Sequence, residues 1–304
     1  MPPRLDTRFA PITANPARRD DYVEIAPCGA LAPYVRCFWG SPGRRTDAPA
    51  SGGTRRTLVV PDLCMDIIVS GNGRTGAADC SFCGINDAPF YAEERGEFRF
   101  GIRFYAWSAA LFSAERMDGA LNALSPADAY FPGFSAELSE RLCGADGIFE
   151  RARIAEAFLL KRLDEGRGHP SVMNAVSRII RRSARTDVAA LSAGCAVSQR
   201  TLERRCMEGV GVPPKTLLRL VRYQLLWQAC LAPGFSALDA VERLGFCDQS
   251  HLLREFKKFH GMTLEAARAA YFGQLAERLR QPENGAELSH LSKTRTRIRA
   301  ILEP

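Results

Sequence analysis

The pattern of apolar and polar residues changes character near residue 107. From residue 22 to about residue 107 the chain consists of short, loosely alternating segments separated by turn signals such as Pro61-Asp62. Residues 98–104 alternate apolar residues with Arg or Gly, which is typical of a half-buried strand. Several short strands at this spacing predict a small β-sheet or a barrel-like domain.

Beyond residue 107 the pattern becomes helical. Residues 148–163 form one apolar stripe, with Arg151 among the polar residues that lie off it. We expect this stripe either to pack on the sheet of its own domain or to form a dimer face. The run Gly166-Arg167-Gly168-His169-Pro170 then breaks the helical pattern and predicts a domain boundary.

Residues 171–272 are helical throughout and contain an internal repeat with an offset of 50 residues. Residues 198–206 align with 248–256, so that Ser198 and Asp248, both favourable N-caps, occupy the same position. The other matched pairs are Gln199 and Gln249, Leu202 and Leu252, Arg204 and Arg254, and Gly211 and Gly261. Each copy follows a short helix and a short turn, which predicts two helix-turn-helix units joined by a long linker helix near residues 217–231.

The sequence therefore predicts an α+β protein with four regions. We expect a disordered arm at 1–20 and a domain at 21–170. In this domain helices follow a small β-sheet, and it either senses a signal or holds subunits together. An all-α domain of two helix-turn-helix units joined by a linker helix follows at 171–280, and a polar tail at 281–304.

Charge separates these regions. The net charge is +7, and residues 171–280 alone hold 17 Lys and Arg against 9 Asp and Glu, a net +8. A basic region of this size indicates a polyanionic partner. Residues 1–160 contain no Lys and residues 1–168 no His, which argues against nucleophile–base pairs, a Schiff-base lysine or His-ligated metals in the first half. We accordingly expect no enzyme activity and no cofactor.

Cysteine usage and the absence of long apolar runs indicate the cellular setting. The ten cysteines are scattered in a chain whose first residues do not resemble a signal peptide. This pattern favours reduced thiols in a cytoplasmic protein. No stretch approaches the roughly 20 apolar residues that span a bilayer, so we expect no membrane partner.

Residues 175–272 resemble the AraC/XylS family of transcription regulators. The strongest match is Leu244-Gly245-Phe246-Cys247-Asp248-Gln249-Ser250-His251-Leu252-Leu253-Arg254-Glu255-Phe256-Lys257, followed by Gly261 and Thr263. The resemblance implies that two helices enter successive major-groove segments of double-stranded DNA. It implies DNA contacts from Ser198, Gln199, Arg200, Glu203, Arg204, Gln249, Ser250, His251 and Arg254.

The chain departs from this family pattern at four positions. Cys206 replaces a core Phe, Ala196 replaces a turn Gly, and Leu264 replaces a Pro. Leu253 replaces a small polar residue; facing the groove, it could meet a thymine methyl but could not form a hydrogen bond. Glu203 could accept from cytosine N4 or orient Arg200.

The first half is similar to an effector domain of poorly known ligand that precedes such DNA-binding units. Three short motifs carry this likeness, at residues 34–39, 60–62 and 101–104, whereas Tyr105-Ala106-Trp107 stands where Pro-Gly is expected. The residues that could contact a small-molecule effector are Arg36, Trp39, Arg103, Tyr105 and Trp107.

The sequence thus predicts a sequence-specific regulator of transcription, with DNA binding modulated by a small molecule or by dimerisation through the first domain. RNA polymerase and a second copy of the chain are further expected partners. Two alternatives remain: a DNA-binding protein that needs no ligand, and a redox or metal sensor that uses Cys80 and Cys83.

Overall fold

The computed structural model describes residues 11–13, 22–40, 56–72, 77–93, 98–182 and 185–280 of the 304-residue chain. Three residues of the predicted arm, Pro11-Ile12-Thr13, depart from the expectation of disorder because they are held by hydrogen bonds. The carbonyl oxygen of Thr13 accepts the N–H of Val60 at 2.8 Å. The rest of the arm and the tail 281–304 lie outside the described residues.

The first domain is built on a β-sheet, as the alternating segments predicted. Six strands form an antiparallel sheet in the order β1-β2-β7-β4-β5-β8, and β3 pairs separately with β6. The strands are β1 Val23–Ile25, β2 Val35–Gly40, β3 Arg56–Val59, β4 Cys64–Asn72, β5 Ala77–Cys83, β6 Phe90–Glu93, β7 Phe98–Tyr105 and β8 Leu124–Pro126. The central strand β7 buries its four alternating apolar side chains, Phe98, Phe100, Ile102 and Phe104.

Two helices, α1 (Phe134–Gly144) and α2 (Ile148–Arg162), pack against this sheet. Most of the predicted stripe on α2 is buried, but Phe149 is 68% exposed. Arg151, predicted to lie off the stripe, is fully buried. Its guanidinium lies 4.0 Å from the Phe98 ring centroid and donates to the carbonyl oxygens of Leu142 (3.0 Å) and Ala145 (3.2 Å). Arg151 is tolerated there because it satisfies carbonyls at the end of α1.

The second domain is helical, and the two predicted helix-turn-helix units are confirmed. Its helices are α3 Pro170–Arg181, α4 Val188–Gly194, α5 Gln199–Val210, α6 Pro214–Cys230, α7 Ala237–Leu244, α8 Gln249–His260 and α9 Leu264–Arg280. α4 and α5 form the first unit, α7 and α8 the second, and α6 links them. Within the described ranges, no helix is both long enough and apolar enough to cross a membrane.

The linker helix α6 makes one of the contacts between the two domains. Gln224 of α6 is fully buried, and its side-chain amide donates to the carbonyl oxygen of Ile12 at 3.0 Å and to that of Pro61. Its Oε1 atom accepts the N–H of Ile12 at 2.8 Å. One glutamine therefore satisfies buried backbone groups of the first domain, as an adjacent strand would.

Candidate nucleic-acid interface

The first helix-turn-helix unit is defined by two side-chain caps. Asp187 caps α4 by accepting the N–H of Ala190 at 2.7 Å, and Ser198 caps α5 by accepting that of Thr201 at 3.1 Å. These caps satisfy only part of the free N–H groups in each first turn. The remaining N–H groups and the positive end of the helix dipole suit a phosphate or a base acceptor.

On α5, the polar and apolar faces separate as the spacing predicted. The predicted contact residues Ser198, Gln199, Arg200, Glu203 and Arg204 are exposed. On the opposite face, Leu202 and Cys206 are fully buried. The outer face therefore offers two guanidinium groups, an amide and a carboxylate within the first two turns.

The second unit repeats this arrangement. Ser236 caps α7, and Asp248 caps α8 by accepting the N–H of His251 at 2.6 Å. Three of the predicted contact residues, Gln249, Ser250 and Arg254, are exposed.

His251 is less available than the other predicted contact residues. It is half-buried, its ring packs edge-on against Phe246, and its Nδ1 accepts the N–H of Cys247 at 3.4 Å. With Nδ1 used inside the turn, only Nε2 can act as an outward hydrogen-bonding group.

Arg204 belongs to a charge cluster that sequence reasoning did not single out. Its Nη1 lies 2.9 and 3.1 Å from the two carboxylate oxygens of Glu208. The same carboxylate meets Arg116 of the first domain at 3.2 Å and His169 at 3.4 Å. Burial works to raise the pKa of Glu208, but the Arg204 hydrogen bond and the neighbouring cations outweigh it and lower that pKa. The i, i+4 spacing of Arg204 and Glu208 was the available sequence signal.

A second ion pair fixes the linker helix to the second unit. Arg219 of α6 donates to both carboxylate oxygens of Glu255 in α8, at 2.8 and 2.7 Å. Burial acts to raise the pKa of Glu255, yet the hydrogen bond and charge of Arg219 lower it overall. This bidentate geometry restricts how α8 can tilt against α6.

A basic cavity adjoins the first unit. Arg178, Arg181 and Arg182 line an open cavity of about 480 Å³ on α3, together with Asn174 and Ser177. The guanidinium of Arg178 lies against Gly194, where a methyl group would sit 2.7 Å from Nη1. The basic surplus of the region was the only sequence hint of this cavity.

In the first domain, two of the predicted effector-binding residues share one buried carboxylate. Arg103 Nε and Trp39 Nε1 both donate to Asp66 Oδ1, at 2.9 and 2.7 Å. Arg103 also donates to the Thr13 hydroxyl at 2.7 Å. Burial raises the pKa of Asp66, although the charge of Arg103 opposes this change. Trp39 and Arg103 are therefore already engaged within the protein.

The other three predicted effector-binding residues form a second group. Arg36 occupies a register shift of β2 between Val35 and Cys37 and donates through Nη2 to the carbonyl oxygen of Pro11 at 3.1 Å. Tyr105 stacks on Trp107 with ring centroids 4.9 Å apart. Among the described residues, the buried Arg36 Nη1 and Trp107 Nε1 have no hydrogen-bond partner.

Cys80 and Cys83 lie on β5, three residues apart. Side chains at an odd separation on a strand point to opposite faces, so these two thiols cannot bind one ion together without distorting the strand. Burial raises the pKa of Cys83 to about 12. No cluster of three or more metal-ligating side chains occurs in the described part of the chain. All ten cysteines lie in the described ranges, and none forms a disulfide bond.

Two protein families match separate parts of the chain. Residues 191–270 match the family described as "Helix-turn-helix domain", which spans α5 to α8 and parts of α4 and α9. Residues 23–123 match the family described as "Domain of unknown function (DUF6597)". No curated protein matches the chain.

Several solved structures are similar to parts of the chain. A DNA-binding transcriptional dual regulator from Escherichia coli K-12 is 20% identical, over 32% of this chain and 94% of that one, with a TM-score of 0.30. The C-terminal domain of AraT, a response regulator from Geobacillus stearothermophilus, is 20% identical over 40% and 95%, with a TM-score of 0.31. ToxT from Vibrio cholerae is 13% identical over 71% and 97%, with a TM-score of 0.37.

Proposed function

We propose that this DNA-binding transcription regulator, whose C-terminal domain is an AraC-type helix-turn-helix domain, binds a specific double-stranded DNA sequence through the first turns of α5 and α8. One observation carries the proposal. Two helices at equivalent positions of the repeat each begin at a side-chain cap and expose a polar first turn. Helices of this kind enter the major groove with their N-terminal residues against base edges.

The residue types suggest how each helix discriminates between bases. Arg200 and Arg204 suit guanine and Gln199 suits adenine, while Glu203 suits the cytosine amino group. α8 offers Gln249, Ser250 and Arg254, with fewer charged groups and with Leu253 half-buried beside them. We therefore assign most of the base discrimination to α5 and a mixture of base and phosphate contacts to α8.

The arginines of α3 support a phosphate contact outside the two recognition helices, α5 and α8. One of them, Arg178, lies against Gly194, the last residue of α4, from which the turn leads to α5. A phosphate in this cavity would meet three guanidinium groups beside the first helix-turn-helix unit. Each such contact adds about one ion to the salt dependence of binding.

Selection of bound duplexes from a random DNA library, with the full chain, tests the proposal. We expect one preferred site, and Arg200→Ala is expected to weaken binding to it by about 1–3 kcal/mol and to relax one base position. Arg153→Ala removes the same charge from an exposed position on α2 and serves as the matched control. The proposal fails if no sequence is preferred, or if both variants bind like the wild type.

The unpartnered donors in the first domain favour modulation by a small molecule with a carboxylate or carbonyl group. Arg36 Nη1 and Trp107 Nε1 are buried, and a buried donor without a partner costs about 1–3 kcal/mol. An acceptor group on a ligand would remove that cost. A thermal-shift screen of small carboxylates should find stabilising compounds that lose their effect in Arg36→Met but keep it in Arg141→Met.

The rival without an effector predicts the same DNA binding and no response to any metabolite. Measuring DNA affinity in the presence of the stabilising compounds separates the two hypotheses. A ligand that binds the DNA-binding state of the protein and its other state with different affinities must shift the affinity for DNA.

Dimerisation remains a prediction. The exposed Phe149 and Leu160 of α2 favour a dimer face on that helix, and sedimentation tests it. Contact with RNA polymerase also remains a prediction.

A further inference from the structure

Both recognition helices end at a glycine that touches the first domain. Gly211 after α5 and Gly261 after α8 have φ angles of 82° and 83° and occupy equivalent positions of the repeat. A methyl group at Gly211 would lie 2.4 Å from the carbonyl oxygen of Met117, and one at Gly261 would lie 3.0 Å from Cγ of Pro89. Two loops of the first domain thus reach the same point on each unit.

The contact with α5 includes backbone hydrogen bonding. The N–H of Met117 donates to the carbonyl oxygen of Glu208 at 2.9 Å, which is one of the last four carbonyls of the helix. Arg116 reaches the Glu208 carboxylate at 3.2 Å. The first domain therefore helps to cap the C-terminal end of α5.

The two loops are joined to each other. Asn122 accepts the N–H of Asp87 at 3.0 Å and donates to the Asp87 carboxylate at 2.8 Å. The N–H of Asn122 donates to the carbonyl oxygen of Ile85 at 2.8 Å. Gly84 lies so close to Ala120 that a methyl group added at Gly84 would sit 1.8 Å from the carbonyl oxygen of Ala120. A displacement of one loop must therefore move the other.

We propose that these two loops, residues 84–89 and 116–123, form a brace that fixes the relative position of the two recognition helices. The proposal rests on the proposed function, because its consequence is that the brace sets the spacing between the two DNA segments that the chain accepts. The linker helix and the Arg219–Glu255 pair also join the units. Weakening the brace is therefore expected to broaden the spacing preference rather than abolish binding.

Through the brace, the first domain can act on both helix-turn-helix units at once. A change in the first domain that shifts either loop alters α5 and α8 together, because packed interfaces move as units. Met117, Asn122 and Pro89 are positioning residues in this proposal, and none of them is expected to contact DNA.

Glycine substitutions test the brace in the full chain. Gly211→Ala and Gly261→Ala both introduce a methyl group into a brace contact, whereas Gly234→Ala, at a φ of 68°, adds one with no atom within 4 Å. All three variants share the cost of a positive φ. Only Gly211→Ala and Gly261→Ala also disturb the brace, so a difference from Gly234→Ala reports on the brace. Affinity is measured on the selected site and on sites with one base pair inserted or deleted between the two segments.

For the wild type and Gly234→Ala we expect a loss of about tenfold or more on the altered spacings, comparable to a poor base match. Gly211→Ala should reduce that penalty several-fold, and Gly261→Ala somewhat less. Asn122→Gly, which tolerates the φ of 53° but removes both bonds to Asp87, should act in the same direction.

The outcomes separate the brace from the function on which it rests. If the wild type selects no DNA sequence, the proposed function fails. If the wild type selects a site but Gly211→Ala and Asn122→Gly keep the spacing penalty of Gly234→Ala, the brace is wrong and the function stands. Circular dichroism of each variant excludes unfolding as the cause of a changed preference.

Discussion

The two helix-turn-helix units share a repeat but differ in what holds them together. In the second unit, Phe256 is fully buried and its ring lies 5.8 Å from Tyr223, 5.6 Å from Trp227 and 4.8 Å from His260. In the first unit the equivalent position is Cys206, whose small side chain is also fully buried. Tyr223 and Trp227 belong to the linker helix α6, so an aromatic cluster joins the second unit to α6. At the equivalent position the first unit has one thiol, which buries far less apolar surface.

The turns of the two units also differ, and the turn of the first unit is the more strained. Gly245 begins the second turn with a φ of 71°, a conformation that costs glycine little. In the first turn, Ala196 adopts a φ of 53°, which costs a residue with a side chain about 1–2 kcal/mol. The first unit therefore carries local strain that the second avoids.

Neighbouring elements compensate for this weakness in the first unit. α3 packs on α4 and α5, Arg205 donates to the Ser171 hydroxyl at 3.0 Å, and the brace caps the end of α5. The comparison teaches that equivalent helices can be stabilised by different neighbours: α8 by the aromatic cluster that it shares with α6, and α5 by α3 and the first domain. The unit that depends more on the first domain is also the one that a change in that domain should affect most.

The largest expected effect concerns the two core positions. Phe256→Ala should lower the free energy of unfolding by about 3–5 kcal/mol, because it leaves a cavity in the aromatic cluster. Cys206→Ala should cost only about 1 kcal/mol, since much less apolar volume is lost. Denaturant unfolding followed by circular dichroism measures both. Equal costs would contradict the difference in core strength.

Acid should weaken the second unit selectively. Burial lowers the pKa of His260 from 6.5 to about 4. Between these values the unfolded chain binds a proton that the folded chain does not, so stability falls as pH falls, by up to about 1.4 kcal/mol per pH unit. Comparing unfolding midpoints of the wild type and His260→Phe from pH 7 to pH 4 isolates this contribution. The same slope in both proteins would show that His260 is not its source.

The DNA contacts should divide between the units. Arg204→Ala and Arg254→Ala should each weaken specific binding by about 1–3 kcal/mol if the arginine meets a base, with losses mapping to segments about 10 base pairs apart. We expect base contact for Arg204, and phosphate or mixed contact for Arg254. A phosphate contact would instead weaken all sequences alike and lower the salt slope by about one ion. Affinities of both protein variants for single-base variants of the site, measured at two salt concentrations, distinguish base contacts from phosphate contacts. If both proteins bind like the wild type, Arg204 and Arg254 do not contact DNA.

Exchanging the turn residues should give the smallest effect. Ala196→Gly should stabilise the chain by up to about 1 kcal/mol, because glycine accepts the positive φ. Gly245→Ala, the reverse change in the second unit, should destabilise it by about the same amount. Thermal unfolding of the two variants and the wild type measures both shifts. Shifts of the same sign would contradict the proposed strain in the first turn.

Local sequence signals were sufficient for the helices and their units. The caps Ser198 and Asp248, the buried positions Leu202 and Leu252, and the exposed faces of α5 and α8 all follow from spacing. Helical periodicity and capping depend on residues within a few positions of each other, so the sequence displays them directly. The alternation in residues 98–104 defined β7 in the same way.

Tertiary structure decided which side chains meet across long distances. Nothing in the local pattern pairs Gln224 with Ile12, Asp87 with Asn122, or Glu208 with Arg116, and Arg151 was predicted on the wrong face. A charged or polar side chain can lie in the interior wherever the fold supplies its partners. The sequence alone therefore determined the helix-turn-helix units, and only the packing of the two domains decided how the first domain holds both of them.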